Sequence, residues 1–228
     1  MLYEKPRYRI MGDRALLVEL GDEISPGINQ KVRELFVGLE RNLLPGVREL
    51  VPTYRSLLVI YDPLQITLPA LQSQIDAMRS ALDPSALPQP RRVKIPVVYG
   101  GAYGPDLEWV ARYHGLTADD VIRHHTSPIY QVYMIGFTPG YPYMGEVPAA
   151  IATPRRETPR THVPRGSVGI AQKQTGIYPV ASPGGWQIIG RTPVTLYNPA
   201  GWPPTLLEMG DLVTFYAITA EELAQWPA

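Results

Sequence analysis

Residues 136–198 read GFTPGYPYMGEVPAAIATPRRETPRTHVPRGSVGIAQKQTGIYPVASPGGWQIIGRTPVTLYN, and the fold turns on whether this stretch is ordered. Extended to Pro204 it holds 12 Pro and 10 Gly in 69 residues. That fraction without a repeat period is usual in low-complexity, disordered chain. Here the breakers are interleaved with Phe137, Tyr141, Tyr143, Tyr178, Trp186, Tyr197 and Trp202. Disordered segments are poor in aromatics because they have no core to bury them in. The stretch therefore reads as loop-rich β structure whose turns are fixed residue by residue, and such loops often carry function.

The same stretch is electrically lopsided. Arg155, Arg156, Arg160, Arg165, Lys173 and Arg191 face Glu146 and Glu157, a formal +4 in a chain whose net charge is zero. Arginine offers a planar fork that fits carboxylate and phosphate oxygens. Two readings follow: a site for a small anion, or a solvated basic face.

Outside this region the bulk numbers set bounds. A chain of 228 residues, 45% hydrophobic, can bury one large core or two small ones. Zero net charge argues against nucleic acid or an anionic membrane as the main partner. Cysteine is absent, which removes disulfides, a thiolate nucleophile and Cys–metal sites. The opening MLYEKPRYRI lacks the apolar run of a signal peptide, and no apolar run approaches a membrane span. A cytoplasmic protein is the expectation.

Patterning organises the rest. Residues 8–21 read as two short strands about the Gly12-Asp13 turn. Residues 28–42 repeat Ile28, Val32, Leu35, Phe36 and Leu39 at helical spacing, with Ser25-Pro26 as a start. Residues 47–61 form two extended runs, and 64–82 a second amphipathic helix. The order ββ-α-ββ-α predicts a small α+β domain over 1–86. Residues 83–90 (DPSALPQP) are the linker candidate. Beyond them, 92–99 reads as a strand, 105–114 and 117–125 as a helix pair with Thr117 as N-cap. Short strands are expected at 130–135, 167–171, 176–179, 187–190, 195–197 and 212–218, which suggests a closed, mainly-β barrel over 87–228.

Generic catalytic signatures are missing. Residues 140–145 have P-loop glycine spacing, but Glu146 stands where lysine is needed. There is no HExxH, no GxSxG elbow and no dinucleotide fingerprint. His114, His124 and His125 lie near Asp119 and Asp120. Adjacent His124 and His125 point to different sides of a helix, so no metal site is expected.

The runs GFTPGYPYMG, TPRRETPRTHVPRGSVGIAQKQTGIYP and SPGGWQIIGRTP resemble the KipI-like family. That family includes the B component of bacterial 5-oxoprolinase and allophanate hydrolase subunit 1. PVVYGG at 96–101, the stretch 104–126 and MGDLVTF at 209–215 extend the resemblance over most of 96–216. Arg165 departs from it, since the family more often has a small residue in VPRGSV. The resemblance implies a small N-terminal α+β domain followed by a cyclophilin-like β-barrel. It also implies two partners, a KipA-like protein and a LamB/YcsF-like protein, and a kinship with the carboxyltransferase part of urea carboxylase. Together the three would open 5-oxoproline to glutamate with ATP and magnesium. The chain has no nucleotide loop of its own, so ATP would need the partner or a pocket of unfamiliar kind.

Within that frame, His125, Arg160 and Arg191 are the expected catalytic residues. His125 would act as acid or base near neutral pH or hold the substrate; the two arginines would clamp a carboxylate or phosphate. Gln172 and Gln174 could read the lactam N–H and C=O. Tyr133 and Tyr178 would wall the pocket, Pro139, Gly140 and Tyr141 shape its rim, and Gly184 and Gly185 present backbone N–H groups. Each also has a structural reading: helix-end bond, loop-stapling ion pair, turn or core. Two other functions stay open, a regulatory inhibitor binding a sensor histidine kinase, and a component of an allophanate- or urea-related hydrolase or carboxyltransferase.

Overall fold

Alternating apolar residues on either side of Gly12 form a hairpin in the computed structural model, which describes residues 1–82 and 87–227. Its strands are β1 (Leu2–Ile10) and β2 (Ala15–Gly21); β3 (Val47–Pro52) and β4 (Ser56–Tyr61) complete an antiparallel sheet of order β1-β2-β4-β3. Helix α1 (Pro26–Arg41) starts where Ser25 accepts the Ile28 N–H, with proline in the first turn. Helix α2 (Leu68–Ala81) starts later than the pattern suggested. Thr67 caps it, and Leu64, which the apolar repeat included, is 94% exposed. Leu16, Val18, Leu57 and Val59 from the sheet and Leu35, Leu39, Leu71 and Ile75 from the helices are buried. These elements belong to one compact unit, Met1–Gln89; the second is Pro90–Ala228. Of the expected linker at 83–90, residues 83–86 lie outside the described residues. Among the described residues no helix is long and apolar enough to cross a membrane.

The second unit is a closed barrel of seven strands. They are β5 (Arg92–Tyr99), β6 (Tyr130–Ile135), β7 (Pro142–Gly145), β9 (Ser167–Ala171), β10 (Gln174–Ile177), β12 (Gln187–Arg191) and β13 (Leu212–Ala217). Their order around the barrel is β10-β7-β6-β13-β5-β12-β9, and β9 pairs with β10 to close it. Every pair is antiparallel except β13 with β5. A separate ribbon pairs β8 (Arg160–Val163) with β11 (Ser182–Gly184). Ile95, Val132, Met144, Val168, Ile189 and Phe215 from six of the strands fill one buried cluster. Leu107, Val110 and Ala111 of α3 (Leu107–His114) and Val121 of α4 (Ala118–Thr126) join it, so the helix pair is fastened to the barrel. The expected Thr117 cap is a full capping box with Asp120. A short helix α5 (Ala220–Ala224) follows the last strand.

One expected strand is absent. Residues 195–197 lie between Pro193 and Pro199, which have no N–H to give a ladder. Only an isolated bridge, Tyr197 with Thr205, forms there.

His125 is inside this core with no exposed surface. Its Nδ1 lies 2.7 Å from the Tyr99 hydroxyl and its Nε2 2.9 Å from Thr175 Oγ1. The Thr175 hydroxyl donates to the Gly169 carbonyl, so Nε2–H donates to Thr175 and Nδ1 accepts from Tyr99. The neutral ring satisfies both nitrogens. Burial pushes its pKa down to about 3. This corrects the expectation of an acid or base titrating near neutrality: desolvation keeps the ring uncharged.

A pH prediction follows. The folded pKa lies below the unfolded value of 6.5, so the unfolded chain takes up the proton first as pH falls. His125 therefore costs stability below about pH 6.5, progressively down to about pH 3. Between pH 7 and 5 the expected loss is about 2 kcal/mol. Urea unfolding of the chain and of His125→Gln at both pH values measures it. Equal pH dependence in the two would refute a neutral, buried His125.

Candidate functional site

The turn Thr138-Pro139-Gly140-Tyr141 joins β6 to β7. Pro139 precedes Gly140 at φ +80, and the Tyr141 N–H donates to the Thr138 carbonyl at 3.1 Å. Proline followed by a positive-φ glycine is what a type II turn demands. Tyr141 is thereby turned inward and is 1% exposed. Around it stand Tyr143 at 4.8 Å between ring centroids, Tyr178 at 5.1 Å and Trp186 at 5.7 Å. Phe137, held at φ +65, packs edge-on to Tyr141 at 5.6 Å with 62% of its surface exposed. A bulky residue at positive φ is a strained position, and such strain gathers at functional sites.

These rings surround a cavity of about 280 Å³, closed on one side by Gly184 and Gly185. It falls just below the usual range of ligand cavities, about 300 to 1,000 Å³. Gly184 is needed for space: a Cβ there would stand 2.2 Å from the Tyr178 hydroxyl oxygen. Burial raises the Tyr178 phenol above its ordinary pKa, opposed mainly by hydrogen bonds from the Trp186 backbone and Tyr141 and least by the Arg155 charge. Arg155 itself lines the cavity, is exposed, and makes no hydrogen bond or ion pair among the described residues. The arrangement can take a small ring against aromatic faces and an anionic group at its rim.

The expected residues divide sharply. Tyr141, Tyr178, Gly184 and Gly185 come together at the cavity, and Pro139 and Gly140 shape the turn that delivers Tyr141. Arg160 does not reach out. Its Nη1 and Nη2 hold Asp106 at 2.8 and 2.7 Å, with Arg156 on the same carboxylate at 3.2 Å. Asp106 also accepts the Ile188 N–H at 2.6 Å. The Arg160 fork thus holds a carboxylate of its own chain rather than facing the aromatic cavity. Arg191 lies 5.7 Å from the Tyr103 ring, and its buried Nε has no partner among the described residues. Gln172 sits in the β9–β10 turn at φ +53, and its N–H donates to the Thr153 carbonyl. Neither it nor Gln174 lines the aromatic cavity. Tyr133 is fully buried against Gly145, its pKa pushed up to about 12 by desolvation. Among the described residues no group of three or more His, Asp or Glu side chains could hold a metal ion.

Sequence reasoning missed Phe137, Tyr143, Trp186 and Arg155 as cavity residues. The signal was present: each lies in the Pro/Gly-rich stretch, and Arg155 is one of its six cations.

Known proteins share much of this chain. Residues 6–207 match the family described as Carboxyltransferase domain, subdomain C and D. The B component of 5-oxoprolinase from Haemophilus influenzae is 55% identical over 127 residues, 56% of this chain and 60% of that protein. The chain thus spans less than two thirds of that relative's length. A crystal structure of a conserved uncharacterized protein from Pyrococcus horikoshii is 46% identical, with TM-score 0.58, covering 95% of this chain and 100% of that one. The urea carboxylase of Kluyveromyces lactis is 25% identical, with TM-score 0.75, over 99% of this chain and 23% of that one.

Proposed function

The chain belongs to the family of carboxyltransferase domains, subdomains C and D, and from that premise we propose that it is the B component of an ATP-dependent 5-oxoprolinase. One observation carries the reading. Three separate runs, around Tyr141, Arg155 and Trp186, converge on one small aromatic cavity with an unpaired cation at its rim. 5-Oxoproline is a five-membered ring bearing one carboxylate. The ring fits against the exposed Phe137 and half-buried Tyr143, backed by Tyr141, Tyr178 and Trp186, and the carboxylate fits Arg155. The names of the H. influenzae relative and of those from Bacillus subtilis and Escherichia coli support the same substrate.

The chemistry requires ATP because the lactam is resonance-stabilised and its nitrogen leaves poorly. Phosphorylating the amide oxygen gives an imidate-like ester that water can attack. The protein's part in such a step is positioning and charge stabilisation. Magnesium would accompany the nucleotide on its own phosphates. A KipA-like protein and a LamB/YcsF-like protein would complete the enzyme in the cytoplasm. The fold in this reading is an α+β domain over 1–86 and a cyclophilin-like barrel over 87–228. The likeness to the K. lactis enzyme favours one other reading, carboxyl transfer on urea-derived substrates.

The test is ADP release by the chain with both partners, with and without 5-oxoproline. Release that needs 5-oxoproline establishes the role. No release from a verified complex, with turnover of urea or allophanate instead, replaces it. Arg155→Ala should raise the KM for 5-oxoproline roughly ten-fold or more, the loss of a charge-assisted hydrogen bond. An unchanged KM would remove Arg155 from the site.

A further inference from the structure

A second cavity of about 720 Å³ adjoins the first in one respect: Arg155 lines both. Its floor is the exposed face of α3. There Trp109 and Tyr113, one helical turn apart, stack with centroids 5.1 Å apart and planes 23° from parallel. Both rings are open to solvent, at 40% and 55%. Their position on a helix face accounts for the stacking; His114 packs edge-on to Tyr113 at 4.9 Å, and among the described residues the pair makes no other ring contact. Opposite them runs the segment 154–158 with Arg155, Arg156 and Glu157. Arg156 is tied to Asp106 at 3.2 Å, while Arg155 is unpaired among the described residues.

We propose that this cavity binds a nucleoside phosphate, its base stacked on the Trp109–Tyr113 pair and its phosphate chain directed to Arg155. Stacking on aromatic side chains accepts any base, because every base has a π-face. The volume is more than twice that of the aromatic cavity, which suits a ligand with a base, a sugar and phosphates rather than one small ring. The shared arginine gives the two cavities a common wall. A terminal phosphate in the large one and an anionic ring compound in the small one would meet at the same guanidinium. This provides a nucleotide site without any glycine-rich loop, in a chain that has none. The assignment of the nucleotide as ATP rests on the oxoprolinase reading; the stacking site does not.

Two measurements separate them. The first is binding of Mg-ADP to the full chain and to the assembled complex, followed by isothermal titration. The second is the KM for ATP of the complex. Trp109→Ala should weaken Mg-ADP binding and raise the ATP KM by roughly ten-fold or more, with the KM for 5-oxoproline within about two-fold. Trp109→Phe should restore most of the affinity, which a merely structural tryptophan would not require. Turnover with an unchanged ATP KM in Trp109→Ala overturns the nucleotide site and leaves the oxoprolinase reading intact. Mg-ADP binding that depends on Trp109 without 5-oxoproline turnover does the reverse. Failure of both chain and complex to bind Mg-ADP overturns the proposal outright.

Discussion

Asp106→Ala should destabilise the barrel unit by about 3–5 kcal/mol, the cost of removing one partner from a buried ion pair. The carboxylate is 6% exposed and accepts from Arg160, Arg156 and the Ile188 N–H. Its loss strands two guanidinium groups that are only 24% and 35% exposed, and one strand amide. It also removes the tie from Arg156 and Arg160 to the start of α3, in a segment that supplies walls to both cavities and keeps bonds made through its backbone, such as that from Gln187 to the Pro154 carbonyl. Asp106→Asn keeps an acceptor for the amide but loses the charge, so a smaller loss is expected. Urea unfolding of the three proteins measures the series. An alanine variant within about 1 kcal/mol of the parent would mean the cluster is solvated, against the burial described.

Gly184→Ala should lower kcat/KM for 5-oxoproline by roughly a hundred-fold, the order expected for an ångström-scale misplacement near the chemistry. The new methyl would meet the Tyr178 hydroxyl oxygen at 2.2 Å and its ring carbons at 2.7 and 2.8 Å. Tyr178 is 1% exposed and packs on Tyr141, so its ring has nowhere to retreat except into the cavity. Stability should fall less, by about 1–3 kcal/mol, as for other overpacked sites. Adding Tyr178→Phe removes the closest atom but leaves the ring carbons, and partial recovery of activity is expected. A Gly184→Ala enzyme with parental kcat/KM would show that the aromatic cavity is not where the substrate sits.

How far the sequence announces this structure depends on where each element's partners lie. Strands β5, β6, β9 and β13 are legible because apolar residues dominate runs of five to eight residues. Strands β7, β8 and β11 are not. PYMG, RTHV and SPG are three or four residues long, and two of them contain proline. Their strand character comes from neighbours across the sheet. The site shows the same division. Tyr141 and Tyr178 stand out locally, as aromatics among turn residues. The fates of Arg160 and His125 are decided by Asp106, 54 positions away, and by Tyr99 and Thr175, 26 and 50 positions away. A charged or titratable side chain in sequence looks free until its long-range partner is known. That is why Arg160 is found on Asp106 while Arg155 lines the cavity.

The parallel pairing of β13 with β5 has a consequence for synthesis on the ribosome. β5 begins at Arg92 and its partner at Leu212, joined in register from Leu212–Arg92 to Ala217–Val97. The Arg91–Asp211 ion pair lies beside that seam. While the chain emerges from the exit tunnel, β5 and β6 each have an unfilled edge until the final strand is made. Such edges can recruit other strands, and closing so long a loop is slow. The barrel unit should therefore close only once β13 has emerged, rather than strand by strand. A nascent chain stalled before Leu212 should be digested by protease in that unit, and one extended well past Ala217 should resist.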